Sequence, residues 1–480
     1  MITKIEINGF KTFHDFKMEF APLTVIVGAN ASGKSNLFDA LQLLSRLAET
    51  DLRTAFKEQR GEPIELFTQF GENWYADEIS FAVEMLIHKS VRDNWGGEAV
   101  LKYTRLRYEL KIQRRKNERG MDDLYLVHEY LAPLKHQQDN WVQRYIPQEF
   151  LPNWRPPVKT GRRGIPYIST ERQNENIAIK IAQDGKQGGK ATPAKAVSQT
   201  VLSGINSVDF PHVFAAKEEM RSWKFLQLNP QVMREPTRQD LGIQDKITQS
   251  GANLAAALFR IKSANEYTLK AIARRLNRFL PEIIEVDVQD DKANKQFIIK
   301  VRNADGKEFS SRVLSEGTLR LLTLCIFQYD EQHQGLICFE EPENGIHPFR
   351  MQAMAQLLKE LSVNFNEPGQ SLRQIIVNTH SPVLMGQIFE LNTDNLSKIW
   401  LSRLITRIAE IKENRMNEFS PSKKIKIHVT RMYPVERAPN RQLEFELGLS
   451  PNDKRLTIAE VINYLKTAEF ENTIHLLKQE

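Results

Sequence analysis

Eight residues near the start of the chain, Gly28 to Ser35 (GANASGKS), have the spacing of a phosphate cradle. Gly28 and Gly33 let backbone N–H groups curl around phosphate oxygens, and a helix starting there adds the positive end of its dipole. Lys34 reaches the β- and γ-phosphates, Ser35 offers a hydroxyl to Mg2+, and Asn30, Ala31, Ser32 and Asn36 complete the loop and the first helical turn. Far downstream, LICFEEPENGIHP ends an apolar run, Leu336 to Phe339, in Glu340 and Glu341. Phosphoryl transfer to water needs a metal-side carboxylate and a base that orients the water. Glu340 is assigned to the Mg2+ shell and Glu341 to the base. A solvated acidic turn would read the same way without the cradle upstream. A second apolar run, Ile375 to Val377, ends in Thr379, His380, Ser381 and Pro382. His380 shares an edge with Gly28 and Glu341 if these strands are parallel, and could there sense the γ-phosphate. Ser315, Glu316 and Gly317 open an apolar helix whose free N–H groups make an anion site, or a plain N-cap.

These residues need a framework. LTVIV, Leu23 to Val27, is apolar on both faces and predicts a central strand covered on each side. A helix with Leu37, Leu41, Leu44 and Ala48 on one face follows the cradle. Ile5 and Ile7, then Phe16, Met18 and Phe20, alternate with polar residues and predict an antiparallel pair, and period two from Ile79 to Tyr130 predicts a meander. Six prolines between about Leu131 and Pro166, and the Gly/Lys-rich Gln183 to Lys195, predict breaks in regular structure. Helical periodicity returns from Asn253 to Leu280, a hairpin turns at Asp305-Gly306, and strand and helix alternate from Ser310 to about Leu391.

A chain of 480 residues allows several lobes, and its 41% hydrophobic and 26% charged content fits a globular protein. No apolar stretch approaches the length that spans a bilayer, and the alternating N-terminus lacks a secretory signal, so a cytoplasmic protein without membrane contact is expected. Cys325 and Cys338 lack metal or redox spacing and read as buried thiols. The net charge of +6 permits DNA or RNA without requiring it. Basic groups at Arg105, Arg107, Arg114, Arg115, Lys116, Arg155, Lys159, Arg162 and Arg163, and again from Arg403 to Arg431, read either as solvated faces or as a nucleic-acid track.

The order of motifs resembles ABC-type ATPases of the SMC, RecF and OLD kind, especially stand-alone AAA-like ATPases. The resemblance rests on NGFKTF, GANASGKSN, WKFLQLNPQVMREP, SGANLAAAL, LSEGTLRLL, FEEPENGIHP and THSP, and covers about Met1 to Leu401. It implies an α/β P-loop fold with an ABC-type head, in which a mixed central sheet is joined to an antiparallel β-subdomain. The expected division is 1–130 and 283–402 for the two halves of the head, 131–282 for an inserted, partly helical lobe, and 403–480 for a small α/β extension. No sustained heptad pattern between Leu131 and Val313 supports a long coiled coil.

The resemblance further implies ATP and Mg2+ as ligands and a head-to-tail homodimer, or larger homo-oligomer. In it, ATP on one P-loop is capped by Ser315, Glu316 and Gly317 of the other copy, with Lys11 and Thr12 as early nucleotide contacts. Glu340 stands where Asp is usual, one methylene longer, so a shifted or water-mediated metal contact is expected. The nucleotide-sensing glutamine stays open among Gln69, Gln137, Gln138, Gln143 and Gln148. No metal-nuclease constellation follows His380, and the large middle argues against a transporter cassette. Two functions remain. One is a slow regulatory ATPase subunit of a bacterial antiphage system, similar to those of Septu, PARIS or retrons, controlling a separate nuclease or toxin. The other is a RecF-like repair clamp acting directly on DNA.

Overall fold

The computed structural model describes residues 1–72, 74–135, 139–156, 166–173, 176–182, 189–193, 198–239, 245–330, 334–367, 369–412, 422–436 and 456–466. Its centre is a sheet of seven strands: β1 (Leu23–Val27), β2 (Lys224–Leu226), β3 (Gly335–Glu340), β4 (Arg373–Thr379), β5 (Ser397–Lys412), β6 (Ser422–Glu436) and β7 (Leu456–Thr457). Their spatial order is β2-β3-β4-β1-β5-β6-β7, and the first five run parallel. Every residue of β1 is buried, as expected for a strand apolar on both faces. Ile26, Leu336, Cys338 and Ile376 pack on one face with helix α1 (Lys34–Leu47). Val25, Val27, Ile337, Phe339, Ile375 and Val377 pack on the other with α2 (Glu316–Tyr329), α3 (Met351–Leu361) and α4 (Pro382–Leu391). Each fully buried Leu or Ile side chain stabilises this layering by about 1.5–3 kcal/mol.

An eight-stranded antiparallel sheet lies against the α1 face. Ile2–Asn8 pairs with Phe16–Glu19 on one side and Glu78–Leu86 on the other, and Arg105–Lys116 and Asp122–Pro133 continue the meander. The sheet then extends through Ile168–Gln173, Asn176–Ala182 and Gly189–Pro193. Of the Gly/Lys-rich stretch, 183–188 and 194–195 lie outside the described residues; at the others the structure differs from expectation, since Lys190 to Pro193 find ladder partners on an edge strand and pairing supplies the order that the sequence pattern lacks. A third, smaller sheet of Thr237–Arg238, Gln296–Asn303, Ile283–Asp291 and Glu308–Ser310 packs with helices Leu254–Ala264 and Tyr267–Asn277.

Strand β5 crosses position 403 without interruption. It pairs with β1 over Ser397–Leu401, then runs on as a ribbon with β6. Residues beyond 402 thus belong in part to the central sheet. Both cysteines are buried, and burial pushes the Cys325 thiol up to about 12. Among the described residues no helix is long and apolar enough to cross a membrane.

A candidate nucleotide and metal site at the edge of the parallel sheet

The chain leaves β1 at Val27 and turns into α1 through left-handed backbone at Ala31 (φ 60°) and Gly33 (φ 91°). Helix α1 has no side-chain cap and no acidic residue in its first turn, so its leading N–H groups face the loop without a side-chain acceptor. A Cβ on Gly28 would come 2.6 Å from Ser402 O, and one on Gly33 would overlap Thr430 Oγ1. Only glycine fits at either position. Ser402 Oγ donates to Ser32 O at 2.8 Å and Thr430 Oγ1 to the same oxygen at 3.4 Å. The cradle therefore rests on β5 and β6, a support that the sequence reading passed over.

Thr12 joins the same support: its Oγ1 lies 2.7 Å from Thr430 Oγ1 and accepts from Asn36 Nδ2 at 2.8 Å, while Thr12 O accepts from Thr430 N. Lys11 pairs with Asp39, Nζ to Oδ2 at 2.6 Å, and Arg60 shares that carboxylate. The structure thus brings Lys11 and Thr12 to the flank of α1, with both side chains engaged by protein groups. Among the candidate glutamines, Gln69 donates to Gly71 O, Gln143 and Gln148 are exposed, and Gln137 and Gln138 lie outside the described residues.

Lys34 is 7% exposed, and its Nζ donates to Gly28 O at 2.7 Å and Ala29 O at 2.8 Å. Burial pulls its pKa down from 10.5 to about 8, against the attraction of Glu341, Glu343 and Glu340. Two buried oxygens in the same region, Ser32 Oγ and Asn378 Oδ1, have no hydrogen-bond partner among the described residues.

Strands β3, β4 and β1 are parallel and in register, Glu340 beside Asn378 and Asn378 beside Ile26, so their C-terminal ends meet at one edge. Asn378 Nδ2 reaches Ser35 Oγ at 3.4 Å. Burial, reinforced by Asp39, raises the pKa of Glu340, while the Ser35 hydroxyl opposes the rise. Glu341 adopts φ 43°, a left-handed conformation that costs about 1–2 kcal/mol for a residue with a Cβ. Its N–H donates to Asn378 O at 2.8 Å, His380 Nδ1 lies 3.1 Å from its Oε1, and Asn344 Nδ2 donates to its Oε2 at 2.7 Å. Ser381 caps α4 by accepting from Leu384 N, which fixes where the histidine leaves the sheet.

Glu343, overlooked in the sequence, is buried here, and Thr379 Oγ1 donates to its Oε1. Burial raises its pKa, and its Oε2 has no hydrogen-bond partner among the described residues. The signal lay in the spacing of PEN after Glu341 and in the threonine before His380.

Ser315 caps α2, accepting from Thr318 N at 3.2 Å. A Cβ on Gly317 would come 2.8 Å from Gly345 O, and one on Gly345 (φ 72°) would come 2.9 Å from Glu316 Oε2. The start of α2 therefore packs on the loop that follows Glu341. Uncapped helix N–H groups, a glycine cradle, a buried lysine held on loop carbonyls and a carboxylate beside a serine hydroxyl fit a nucleoside triphosphate with Mg2+.

Two family models match the chain: residues 1–148 match "AAA ATPase domain", and residues 195–386 match "AAA domain, putative AbiEii toxin, Type IV TA system". Solved structures with a similar course include the SMC head domain from Thermotoga maritima (15% identity, 91% of this chain and 99% of that chain, TM-score 0.36). An SMC head bound to the C-terminal winged-helix domain of ScpA shares 15% identity over 89% of this chain and 98% of that one, with TM-score 0.44. The Pyrococcus yayanosii SMC head with coiled coil and joint shares 13% identity over 98% and 99%, with TM-score 0.41. No curated protein matches the chain.

Proposed function

We propose that this chain, an AAA-type ATPase of SMC- and RecF-like character, is an ATP-hydrolysing switch that closes on a second copy of itself. The carrying observation is the convergence of Lys34, Glu340, Glu341 and His380 at one edge of β1, β3 and β4. The bound Mg2+ ion would supply charge neutralisation on the phosphates; Ser35 and Glu340 would hold it, with the partnerless Asn378 Oδ1 beside them. Lys34 exchanges its loop carbonyls for phosphate oxygens. Glu341 orients the attacking water and takes its proton, and His380 holds the Glu341 carboxylate and faces the departing charge.

The closing partner is a second copy because the start of α2 is turned to the loop after Glu341 rather than engaged by P-loop side chains among the described hydrogen bonds. Ser315, Glu316 and Gly317 then offer an anion site in trans. Exposed apolar side chains mark the same segments: Val313 before Ser315, Phe349 (92% exposed) after the Glu341 loop, and Val383 after His380.

The output of the switch is control of a separate effector, a nuclease or toxin, in a bacterial antiphage system. The toxin–antitoxin wording of the family matched by residues 195–386 supports this over a RecF-like clamp acting directly on DNA. The test is Mg2+-dependent ATP turnover by the purified chain and its loss in Glu341→Gln. Undiminished turnover in that variant would refute the assignment.

A further inference from the structure

Glu341 and His380 meet across two loops, and their contact alone does not fix where they stand. Their side chains are 38% and 44% exposed, so water competes for both ends of the hydrogen bond. A second contact joins the same loops out of reach of solvent. Glu343, two residues after Glu341, is 6% exposed, and Thr379, the residue before His380, is fully buried. Thr379 Oγ1 donates to Glu343 Oε1 and accepts from Ser381 N at 2.9 Å. The single hydroxyl hydrogen is thereby committed to the carboxyl group.

The bond is anchored at both ends. Thr379 closes the β4–β1 ladder opposite Val27, and Ser381 caps α4, so the residues on either side of His380 are held. On the β3 side, Asn344 N donates to Glu341 O at 3.1 Å and Ile346 N to Glu343 O at 2.9 Å. These two turns fix the short span from Glu341 to Glu343. For stability alone a carboxyl group is a poor choice here, because burial disfavours its charged form. Among the described residues its Oε2 has no hydrogen-bond partner, and the group makes no ion pair with Lys34, Arg320 or His380, which face it along with Glu341. What it supplies is reach: an acceptor long enough to take the Thr379 hydroxyl from the neighbouring loop.

We propose that Glu343 and Thr379 are positioning residues of the ATPase site: the buried bond between them sets the separation of Glu341 and His380 and so aims the base at the attacking water. Both act through Glu341 and His380 rather than on the nucleotide. The role rests on the ATP hydrolysis proposed for this chain, and Glu341→Gln separates the failure of the one from the failure of the other.

Steady-state ATP turnover and equilibrium ATP binding of the purified full chain test it, with thermal unfolding verifying that each variant is folded. Thr379→Val keeps the shape and removes the donor, and Glu343→Leu removes the acceptor. Each should lower kcat by about 10- to 100-fold with ATP affinity nearly unchanged, the mark of a displaced catalytic group. Thr379→Ser restores the hydroxyl and Glu343→Gln the acceptor, and each should recover kcat to within about 3-fold of the native chain. Combining Thr379→Val with Glu343→Leu should cost no more than either alone, since the same bond is lost in all three proteins. A bond that only stabilises the fold would move the unfolding midpoint and leave kcat in place. Native-like kcat in Thr379→Val, failed recovery in Thr379→Ser, or losses that multiply in the double variant would overturn the proposal, while an inactive Glu341→Gln leaves the ATPase function standing. Undiminished turnover in Glu341→Gln would overturn both.

Discussion

His380 Nδ1 stands 3.1 Å from Glu341 Oε1, although the two residues leave the sheet on different strands, β4 and β3. The contact exists because those strands are parallel and in register, and because Glu341 accepts a left-handed backbone at the strand end. On the proposed mechanism, His380 aims the carboxylate that takes the proton from water.

His380→Ala leaves Glu341 with Asn344 as its side-chain partner and frees it to swing. Turnover number should fall about 100-fold, the size of a misplaced catalytic group, with ATP affinity nearly unchanged. Steady-state kinetics and equilibrium nucleotide binding, measured side by side, separate the two effects. Lost ATP binding with intact turnover of the residual complex would assign His380 to binding instead.

Lys34 carries a pH signature. With a folded pKa of about 8 against an ordinary 10.5, the unfolded chain binds its proton more tightly between those values. The penalty is complete below pH 8 and is relieved as pH rises toward 10.5, so Lys34→Met should raise the unfolding midpoint of nucleotide-free protein at pH 7, with the gain vanishing near pH 10.5. Phosphates restore the charge, so ATP binding at pH 8 should take up about half a proton. Calorimetry in two buffers of different ionisation enthalpy measures that uptake.

Thr430 tests the support beneath the cradle. Thr430→Val keeps the shape but removes the hydroxyl shared with Thr12 Oγ1 and Ser32 O. Leaving those groups without it should cost about 1–3 kcal/mol in unfolding free energy and weaken ATP binding several-fold. Denaturant titration and nucleotide titration check both; unchanged values would show that β6 does not hold the loop.

The parts of this fold legible in the sequence are those where local pattern and chemistry coincide. The doubly apolar Leu23–Val27, the glycines of the cradle and the strand ends at Glu340 and His380 announce themselves, because burial on two faces and phosphate chemistry each restrict the residues allowed. Ser402 and Thr430 do not. Their role comes from β5 lying beside β1, a pairing made across almost the whole chain, and β6 beside β5, and their sequence environment reads as ordinary alternation. The surroundings of Arg105 and Arg107 in the basic tracts were hidden in the same way, since they are set by carboxylates far away in sequence, at Asp139 and Glu6. Gly189–Pro193 owes its strand form to a neighbouring ladder rather than to its own composition.

Glu343 offers a test of the buried second carboxylate. Its raised pKa, caused by burial, means that it contributes stability fully present below the ordinary carboxylate value near 4.5 and lost as pH rises through its folded value. Glu343→Gln keeps an acceptor for Thr379 and does not titrate. Its unfolding midpoint relative to the native chain should therefore increase from pH 4.5 to pH 8. A constant difference across that range would mean the carboxylate is not penalised where it sits.

The central claim, ATP as the adhesive between two copies and Glu341 as the base that releases it, is met most directly by the solution mass of Glu341→Gln with and without Mg2+ and ATP. The account predicts one-chain mass without nucleotide and a stable dimer or larger ring with ATP, the nucleotide recovered unhydrolysed from the assembled fraction. Unchanged mass on adding ATP, together with normal turnover, would contradict it.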